Sequence, residues 1–169
     1  MGGRTSNELK TVLKFKLANT DLQVKFQKAV VSQMLNKGKS HYPNEFGGIL
    51  IGRYDEIRKV AYIHYIVNPK HFKASPAFFQ RETKGLEQKL IDLHKQTPSL
   101  YYLGEWHTHP NGSTSPSTTD INTLITLSKS EQVSIDNPLM LIIGLSPSKI
   151  NFGLYIYLDQ KIQKYEQQH

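Results

Sequence analysis

Two histidines separated by one residue, His107 and His109, end a largely apolar segment, and Asp120 follows them. Residues two apart on a β-strand point to the same face, so the two imidazoles would lie side by side at a strand end. The segment 110–116 contains Gly112 and two prolines and is long enough to fold back and bring Asp120 beside them. Two neutral imidazoles and a carboxylate suit zinc, and three protein ligands leave a fourth position for water, as in catalytic sites. The pattern predicts one zinc ion per chain.

Hydrolysis at such a site also needs a carboxylate that takes a proton from water and returns it to the leaving group. Glu105 lies two residues before His107 and would share its strand face as a residue behind the metal ligands. Glu45 stands just before the apolar segment Gly48–Gly52, where a polar residue is not expected unless it is used. The residue types and spacing leave both carboxylates as candidates.

Each part of this pattern also has an ordinary structural explanation. A His-x-His pair often belongs to the polar face of a strand. Ser117 and Asp120 match a helix capping box, in which each side chain bonds to the other residue's backbone N–H. The metal interpretation therefore rests on the combination of two histidines on one strand face, a turn of suitable length and an acid at the start of the next helix.

The surrounding sequence predicts the elements that would position these residues. A surface strand is predicted over residues 9–17, then a helix capped by Asp21 that ends near Gly38. The apolar positions that define this helix are Leu22, Phe26, Ala29, Val30 and Met34. The buried segment Gly47–Gly52 and the segment Val60–Val67 are predicted to form a hairpin, and a loop is predicted to begin at Asn68.

The second half of the chain predicts further alternation of helices and strands. Leu86, Leu90 and Leu93 mark a helix, and Tyr101–His107 a strand that carries the first histidine. Ser117 begins a helix whose inward positions are Ile121, Leu124, Ile125 and Ser128, and strands follow at 139–145 and 151–158. This order predicts a mixed sheet flanked by helices, of the α/β or α+β class.

Length and composition favour one domain spanning residues 1–169, since a chain of this size builds a single core. No apolar run approaches the roughly 20 residues that a membrane span needs, so no membrane partner is expected. The N-terminus lacks the apolar stretch of a secretory signal, and the chain has no cysteine for disulfides or thiol chemistry. A cytoplasmic location is the default expectation.

The formal net charge is +7, a balance that is compatible with nucleic acid, an anionic surface or an acidic protein partner. The lysines are scattered, however, and no run of five or more basic residues or paired aromatic motif marks a nucleic-acid surface. The sequence therefore favours a solvated basic face.

The same residues resemble the JAMM motif of the JAB/MPN metalloprotease family, in which an upstream glutamate is joined by His-x-His, seven residues, a serine, two residues and an aspartate. His107, His109, Ser117 and Asp120 keep this spacing without a gap. Glu45 and the glycine-rich segment after it resemble the family's glutamate and the strand that follows it. The resemblance covers roughly residues 9–158 and favours Glu45 over Glu105.

The resemblance implies a curved mixed sheet between helices, related to the cytidine-deaminase arrangement. It implies zinc held by His107, His109 and Asp120, with Glu45 catalytic and Ser117 stabilising the oxyanion of the tetrahedral intermediate. Members of the family cleave isopeptide or peptide bonds after the C-terminal glycine of ubiquitin or ubiquitin-like proteins, and catalytically dead members serve as scaffolds.

The compact chain and the segment 104–110 resemble most the stand-alone bacterial branch, found in antiviral (CBASS) or ubiquitin-like conjugation operons. The implied substrate is a ubiquitin-like protein or its conjugate, with a conjugation-system enzyme as a further partner. Three alternatives remain: a protease that processes a sulfur-carrier or ubiquitin-like precursor, a non-catalytic MPN scaffold, and a nucleic-acid-associated JAMM module. The intact motif disfavours the scaffold, and the scattered charges disfavour the nucleic-acid module.

Overall fold

A computed structural model of the chain describes residues 11–169. The described part contains eleven strands and three helices. The strands are β1 (Thr11–Lys16), β2 (Gln23–Gln27), β3 (Gly47–Tyr54), β4 (Val60–Val67), β5 (Phe72–Ser75), β6 (Phe78–Arg81), β7 (Tyr101–His109), β8 (Leu139–Leu145), β9 (Ile150–Leu158), β10 (Lys161–Lys164) and β11 (Glu166–Gln168). The helices are α1 (Lys28–His41), α2 (Leu86–His94) and α3 (Thr118–Ser128). None of the described helices combines the length and apolarity needed to cross a membrane.

Nine strands form one mixed sheet in the order β10-β9-β8-β7-β3-β4-β2-β1-β11. Two neighbouring pairs, β2 with β4 and β7 with β8, are parallel, and the other neighbours are antiparallel. Strands β10 and β11 lie at opposite edges although Tyr165 alone separates them along the chain. The N–H of this buried tyrosine donates to the carbonyl oxygen of Leu154 in β9 at 2.9 Å. The sheet is therefore curved until it is nearly closed, and the predicted fold class is confirmed.

The curvature gives the sheet an inner and an outer face. Inner residues such as Leu50 and Trp106 share one core with Val30 and Met34 of α1. Outer residues such as Ile51 pack with residues of α2 and α3. Helices thus cover both faces, and the apolar segments Gly47–Gly52 and 139–145 are buried on both sides, as their continuous apolar character predicts.

The helix predicted from Asp21 to Gly38 is wrong at both ends. Residues 23–27 form strand β2, which lies between β1 and β4, and α1 begins at Lys28 and continues to His41. Positions four residues apart, such as Leu22 and Phe26, share one face of a strand as well as one face of a helix, so the spacing is ambiguous here. Gly38 does not end the helix. It lies inside α1, where a Cβ atom would come 2.7 Å from Cγ2 of Thr108.

The other predicted elements are found within two residues of their expected bounds. The predicted strand over residues 9–17 corresponds to β1, and its first two residues lie outside the described part of the chain. The hairpin β5–β6 lies in the segment expected to be a loop, and it was not predicted from the sequence, nor were the terminal strands β10 and β11. These strands have three or four residues each, too few for a repeating pattern to identify them.

Candidate metal centre and active site

The two histidines lie at the C-terminal end of β7, on its outer face. Both side chains are buried, and the Nε2 atoms of His107 and His109 are 3.1 Å apart. Thr108 between them points to the inner face, as strand geometry requires. The Nδ1–H of His109 donates to the carbonyl oxygen of Ser113 at 3.1 Å. This bond fixes the ring so that the other nitrogen, Nε2, faces the partner imidazole and Asp120.

The third member of the group comes from the first turn of α3. The Asp120 carboxylate places Oδ1 3.2 Å from Nε2 of His107 and Oδ2 3.4 Å from Nε2 of His109. The capping box expected as the ordinary explanation is also present. The N–H of Ser117 donates to Oδ2 of Asp120 at 2.7 Å, and the N–H of Asp120 donates to Oγ of Ser117 at 3.1 Å. The cap therefore orients the carboxylate toward the histidines, and the two explanations are compatible.

These three side chains can hold a metal ion. Their ligand atoms all lie within 4.8 Å of one another, and the separations given above range from 3.1 to 3.4 Å. A tetrahedral site with metal–ligand distances of about 2.0–2.1 Å has ligand atoms roughly 3.3–3.4 Å apart. The donors therefore match such a site in type and spacing, with one position left open.

The electrostatics of the group favour a bound cation. Burial alone would raise the pKa of Asp120, but hydrogen bonds with His107 and His109 outweigh it and hold that pKa far below its usual range. Burial alone would lower the pKa of His109, but its hydrogen bond and charge interaction with Asp120 raise it. The carboxylate is therefore ionised and available as a ligand at any ordinary pH.

Glu45 lies beside this group, at the point where the chain enters β3. Its side chain is buried, with Oε1 3.9 Å from Nε2 of His109. Burial raises its pKa above the ordinary value, against the charges of His107 and His109. A buried carboxylate with a raised pKa, beside a group that can hold a metal ion, is suited to accept a proton from water and to return it.

The backbone on either side of Glu45 is held by hydrogen bonds to two other elements. The N–H of Glu45 donates to the carbonyl oxygen of Ser75, in β5, at 2.9 Å. Next to it, the N–H of Phe46 donates to Oγ1 of Thr108 at 3.0 Å, and the N–H of Thr108 donates to the carbonyl oxygen of Phe46 at 2.8 Å. Thr108 therefore fixes Glu45 relative to the histidines on either side of it.

The close approach of β3 to β7 depends on Gly47. This residue is the register partner of His107. A Cβ atom at this position would lie 2.1 Å from the carbonyl oxygen of Trp106 and 2.8 Å from Cβ of His107. Any side chain here would push the strand that follows Glu45 away from the strand that carries the histidines.

Glu105, the other candidate carboxylate, has a different set of contacts. Its Oε1 accepts hydrogen bonds from Arg81 of β6, one of them from Nε at 3.0 Å, and from the Tyr102 hydroxyl at 3.0 Å. A register shift near Gly104 places Tyr102 on the same face as Glu105. Glu105 therefore links the β5–β6 hairpin to β7 as part of an ion pair and does not join the group of three ligands.

Sequence reasoning missed Thr108, Ser75 and Arg81 as residues that support the site. Thr108 carries a usable signal, because it is a polar residue at the inward strand position between the two histidines. Ser75 contributes a backbone carbonyl, so its residue type gives no indication. Arg81 belongs to the hairpin that the sequence did not predict.

The chain is similar in sequence to two bacterial proteins named as isopeptidases. A protein from Enterobacter hormaechei subsp. hoffmannii (strain UCI 50) named CD-NTase/cGAS isopeptidase is 35% identical over 71% of this chain and 66% of its own length. The chain thus spans about two thirds of that relative. A protein of the same name from Escherichia coli (strain TW11681) is 33% identical over 73% of this chain and 78% of its own.

Two further matches come from other bacteria. The probable metalloprotease y4qB of Sinorhizobium fredii is 30% identical over 70% of this chain and 74% of its own. The solution structure of protein DSY2949 from Desulfitobacterium hafniense superposes with a TM-score of 0.62 at 22% identity, covering 83% of this chain and 88% of that one, which shows a shared fold.

A family profile described as prokaryotic homologs of the JAB domain matches residues 27–153. This range is well over half of the chain and contains Glu45, both histidines, Ser117 and Asp120. The chain belongs to the prokaryotic JAB family, a family of hydrolases.

Proposed function

We propose that the chain is a zinc-dependent isopeptidase or peptidase that removes a ubiquitin-like or conjugated protein from its target after a C-terminal residue. The observation that carries this proposal is the open group of His107, His109 and Asp120 with the buried Glu45 carboxylate 3.9 Å from His109. The names of the relatives, two isopeptidases and a probable metalloprotease, support the same bond class.

His107, His109 and Asp120 would hold the zinc ion, which when bound acts as a Lewis acid and lowers the pKa of water in its open position. Glu45 accepts a proton from the attacking water on a carboxylate oxygen. The same carboxyl group then donates that proton to the nitrogen of the departing amine, as the scissile C–N bond breaks. One residue thus serves first as general base and then as general acid.

Ser117 is suited to stabilise the developing charge on the substrate carbonyl oxygen. Its Oγ accepts the N–H of Asp120, so its own O–H remains able to donate. The side chain is exposed at the start of α3, next to a metal ligand. A hydroxyl held by a cap beside the reacting carbonyl is a preorganised donor.

The substrate is proposed to be a protein C-terminus in extended form. The segment Asn68–Pro76 lies beside the site, since the carbonyl of Ser75 contacts Glu45. Strand edges in this region offer backbone groups to an extended peptide, a common mode of peptide recognition. A ubiquitin-like protein or its conjugate in a bacterial conjugation or antiviral system would supply such a tail, and a conjugation-system enzyme would be a further partner.

The same geometry would also cleave a linear precursor of a sulfur-carrier or ubiquitin-like protein. The two substrates differ in the leaving group, which is a lysine side-chain amine in a conjugate and a backbone amine in a precursor. A non-catalytic scaffold is disfavoured because the ligand group and Glu45 are both in place.

The proposal is tested by incubating the purified protein with two substrates built on one ubiquitin-like protein, one lysine-linked and one linear. Release of the free protein in the presence of zinc, its loss with a chelator and its return on zinc addition are expected. Faster cleavage of the linear substrate would favour the processing role. Faster turnover of small amides or nucleosides than of either protein substrate would contradict the proposal.

A further inference from the structure

Four residues on adjacent strands form a straight row across the outer face of the sheet. Lys14 of β1 is the register partner of Lys25 of β2, Lys25 pairs with Tyr62 of β4, and Tyr62 pairs with Arg53 of β3. We call these four residues the basic row. Neighbouring strands lie about 4.7–4.9 Å apart, so the row extends over roughly 14 Å. The sequence shows no basic run because the row is assembled from four separate strands.

The charges of the basic row are not compensated within the described residues. None of Lys14, Lys25 and Arg53 forms an ion pair there. Nearby acids lie at the margins: Glu166 is opposite Lys16 at the sheet edge, and Asp55 accepts the backbone N–H of Lys59. Like charges placed directly opposite each other on neighbouring strands are destabilising, so folding alone does not explain the pairing of Lys14 with Lys25.

Strand β4 places aromatic rings beside the cations of the neighbouring strands. The Nζ of Lys25 is 5.8 Å from the ring centroid of Tyr62. The rings of Tyr62 and His64 are stacked with centroids 6.3 Å apart, and the ring of Tyr65 follows 6.4 Å from that of His64. Tyr65 is 56% exposed, a large fraction for an aromatic side chain on a strand. The Nε2 of His64 is buried without a hydrogen-bond partner.

Among residues 11–169, no helix covers this part of the outer face. Helix α1 packs against the inner face of β1 and β2. Helices α2 and α3, which cover other parts of the outer face, contact β7 and β9. This sheet surface carries a row of cations next to the exposed ring of Tyr65. Proteins bind single-stranded nucleic acid on such surfaces, where cationic side chains contact the phosphates and aromatic rings stack on the bases.

We propose that the basic row, together with Tyr65, binds single-stranded nucleic acid. Lys14, Lys25 and Arg53 contact successive phosphates, and the exposed ring of Tyr65 stacks on a base. An acidic protein surface would satisfy the cations equally well, but it offers no partner that needs the exposed ring. The proposal is independent of the hydrolase activity, because none of these residues belongs to the metal centre.

The first test measures fluorescence anisotropy of labelled oligothymidylate and oligouridylate over a series of salt concentrations. Three phosphate contacts predict that the logarithm of the association constant falls linearly with the logarithm of the salt concentration, with a slope of about −2. The triple variant Lys14→Gln, Lys25→Gln, Arg53→Gln should lose at least about tenfold in affinity at low salt and most of that slope. The matched control Lys89→Gln, Lys95→Gln, Lys129→Gln removes the same charge from exposed positions elsewhere and should change affinity less than about twofold.

The second test uses Tyr65→Ala, which leaves every charge in place. Loss of one stacked base predicts at least about a fivefold loss of affinity with an unchanged salt slope. Thermal melting and zinc content of each variant should match wild type. Failure of wild type to bind either oligonucleotide at low salt would overturn the proposal, as would equal losses in the row variant and its control. Binding of polyglutamate that depends on the row but not on Tyr65, with weaker oligonucleotide binding, would overturn it in favour of an acidic protein partner.

Discussion

Thr108 links the strand that carries the two histidines to the segment that carries Glu45. It is 1% exposed, and its hydroxyl oxygen is the acceptor for the N–H of Phe46, next to Glu45. Because the histidines lie on either side of it, the same residue links the strand that carries the proposed metal ligands to the position of Glu45, the proposed general base. The structure thus connects a buried hydroxyl with the distance between Glu45 and His109.

Replacing Thr108 with Val should separate this positioning role from metal binding. The change leaves the buried N–H of Phe46 without an acceptor, which costs about 1–3 kcal/mol of folding free energy. We expect kcat to fall while KM and zinc content stay near wild type, since the ligands themselves are intact. Thr108→Ser keeps the hydroxyl and should retain most of kcat. Equal kcat values for the Val and Ser variants would show that the hydroxyl does not position Glu45.

At the scale of elements, helix α1 is tied to the strand that carries the ligands through Gly38. A Gly to Ala change inside a helix normally stabilises by about 1 kcal/mol. Here the added Cβ would meet Cγ2 of Thr108 at 2.7 Å, so we expect Gly38→Ala to lower the melting temperature. Removing the opposing methyl in a Gly38→Ala, Thr108→Ser double variant should recover much of the loss, which a double-mutant cycle measures. A stabilised Gly38→Ala protein would mean that α1 and β7 are less tightly packed than described.

The elements also show where sequence reasoning succeeds and where it ends. A strand buried on both faces, such as Gly47–Gly52, can be predicted because it forms an apolar run between glycines. The turn from His109 to Asp120 is short, so the spacing of these residues alone predicts the group of possible metal ligands. The boundary between β2 and α1 was lost because apolar residues at four-residue intervals suit both structures. The contact of Thr108 with Phe46 spans 62 positions, and no local pattern carries such information.

At the scale of the whole molecule, the metal would join two consecutive elements, β7 and α3, beside the entrance to β3. Its ligands come from β7 and α3, and Glu45 stands at the entrance to β3. Hydrogen bonds between the ligands hold this arrangement in the described structure, with Asp120 between the two imidazoles. A bound ion would replace those hydrogen bonds with stronger metal–ligand bonds. The unfolded chain has no preformed site, so the ion would bind the folded state.

Zinc should therefore stabilise the entire fold. Free zinc at a hundred times its dissociation constant adds about 2.7 kcal/mol by mass action. In a domain of this size that corresponds to a rise in melting temperature of about 5–11 °C. Differential scanning calorimetry of chelator-treated protein with and without added zinc measures the shift, and His109→Ala should show little response. An equal shift in wild type and His109→Ala would place the stabilising zinc elsewhere.

The most direct test of the central claim is the zinc content and turnover of Glu45→Gln measured on the same preparation. The amide keeps the shape of the side chain but accepts no proton from water, so we expect about one zinc per chain and a loss of activity near the upper end of the roughly hundred- to ten-thousand-fold range of general acid–base catalysis. Glu105→Gln makes the same chemical change on the strand of the histidines and should keep zinc and most activity. A Glu45→Gln protein with full zinc and more than about a tenth of wild-type activity would contradict the account, since a lost general base leaves less.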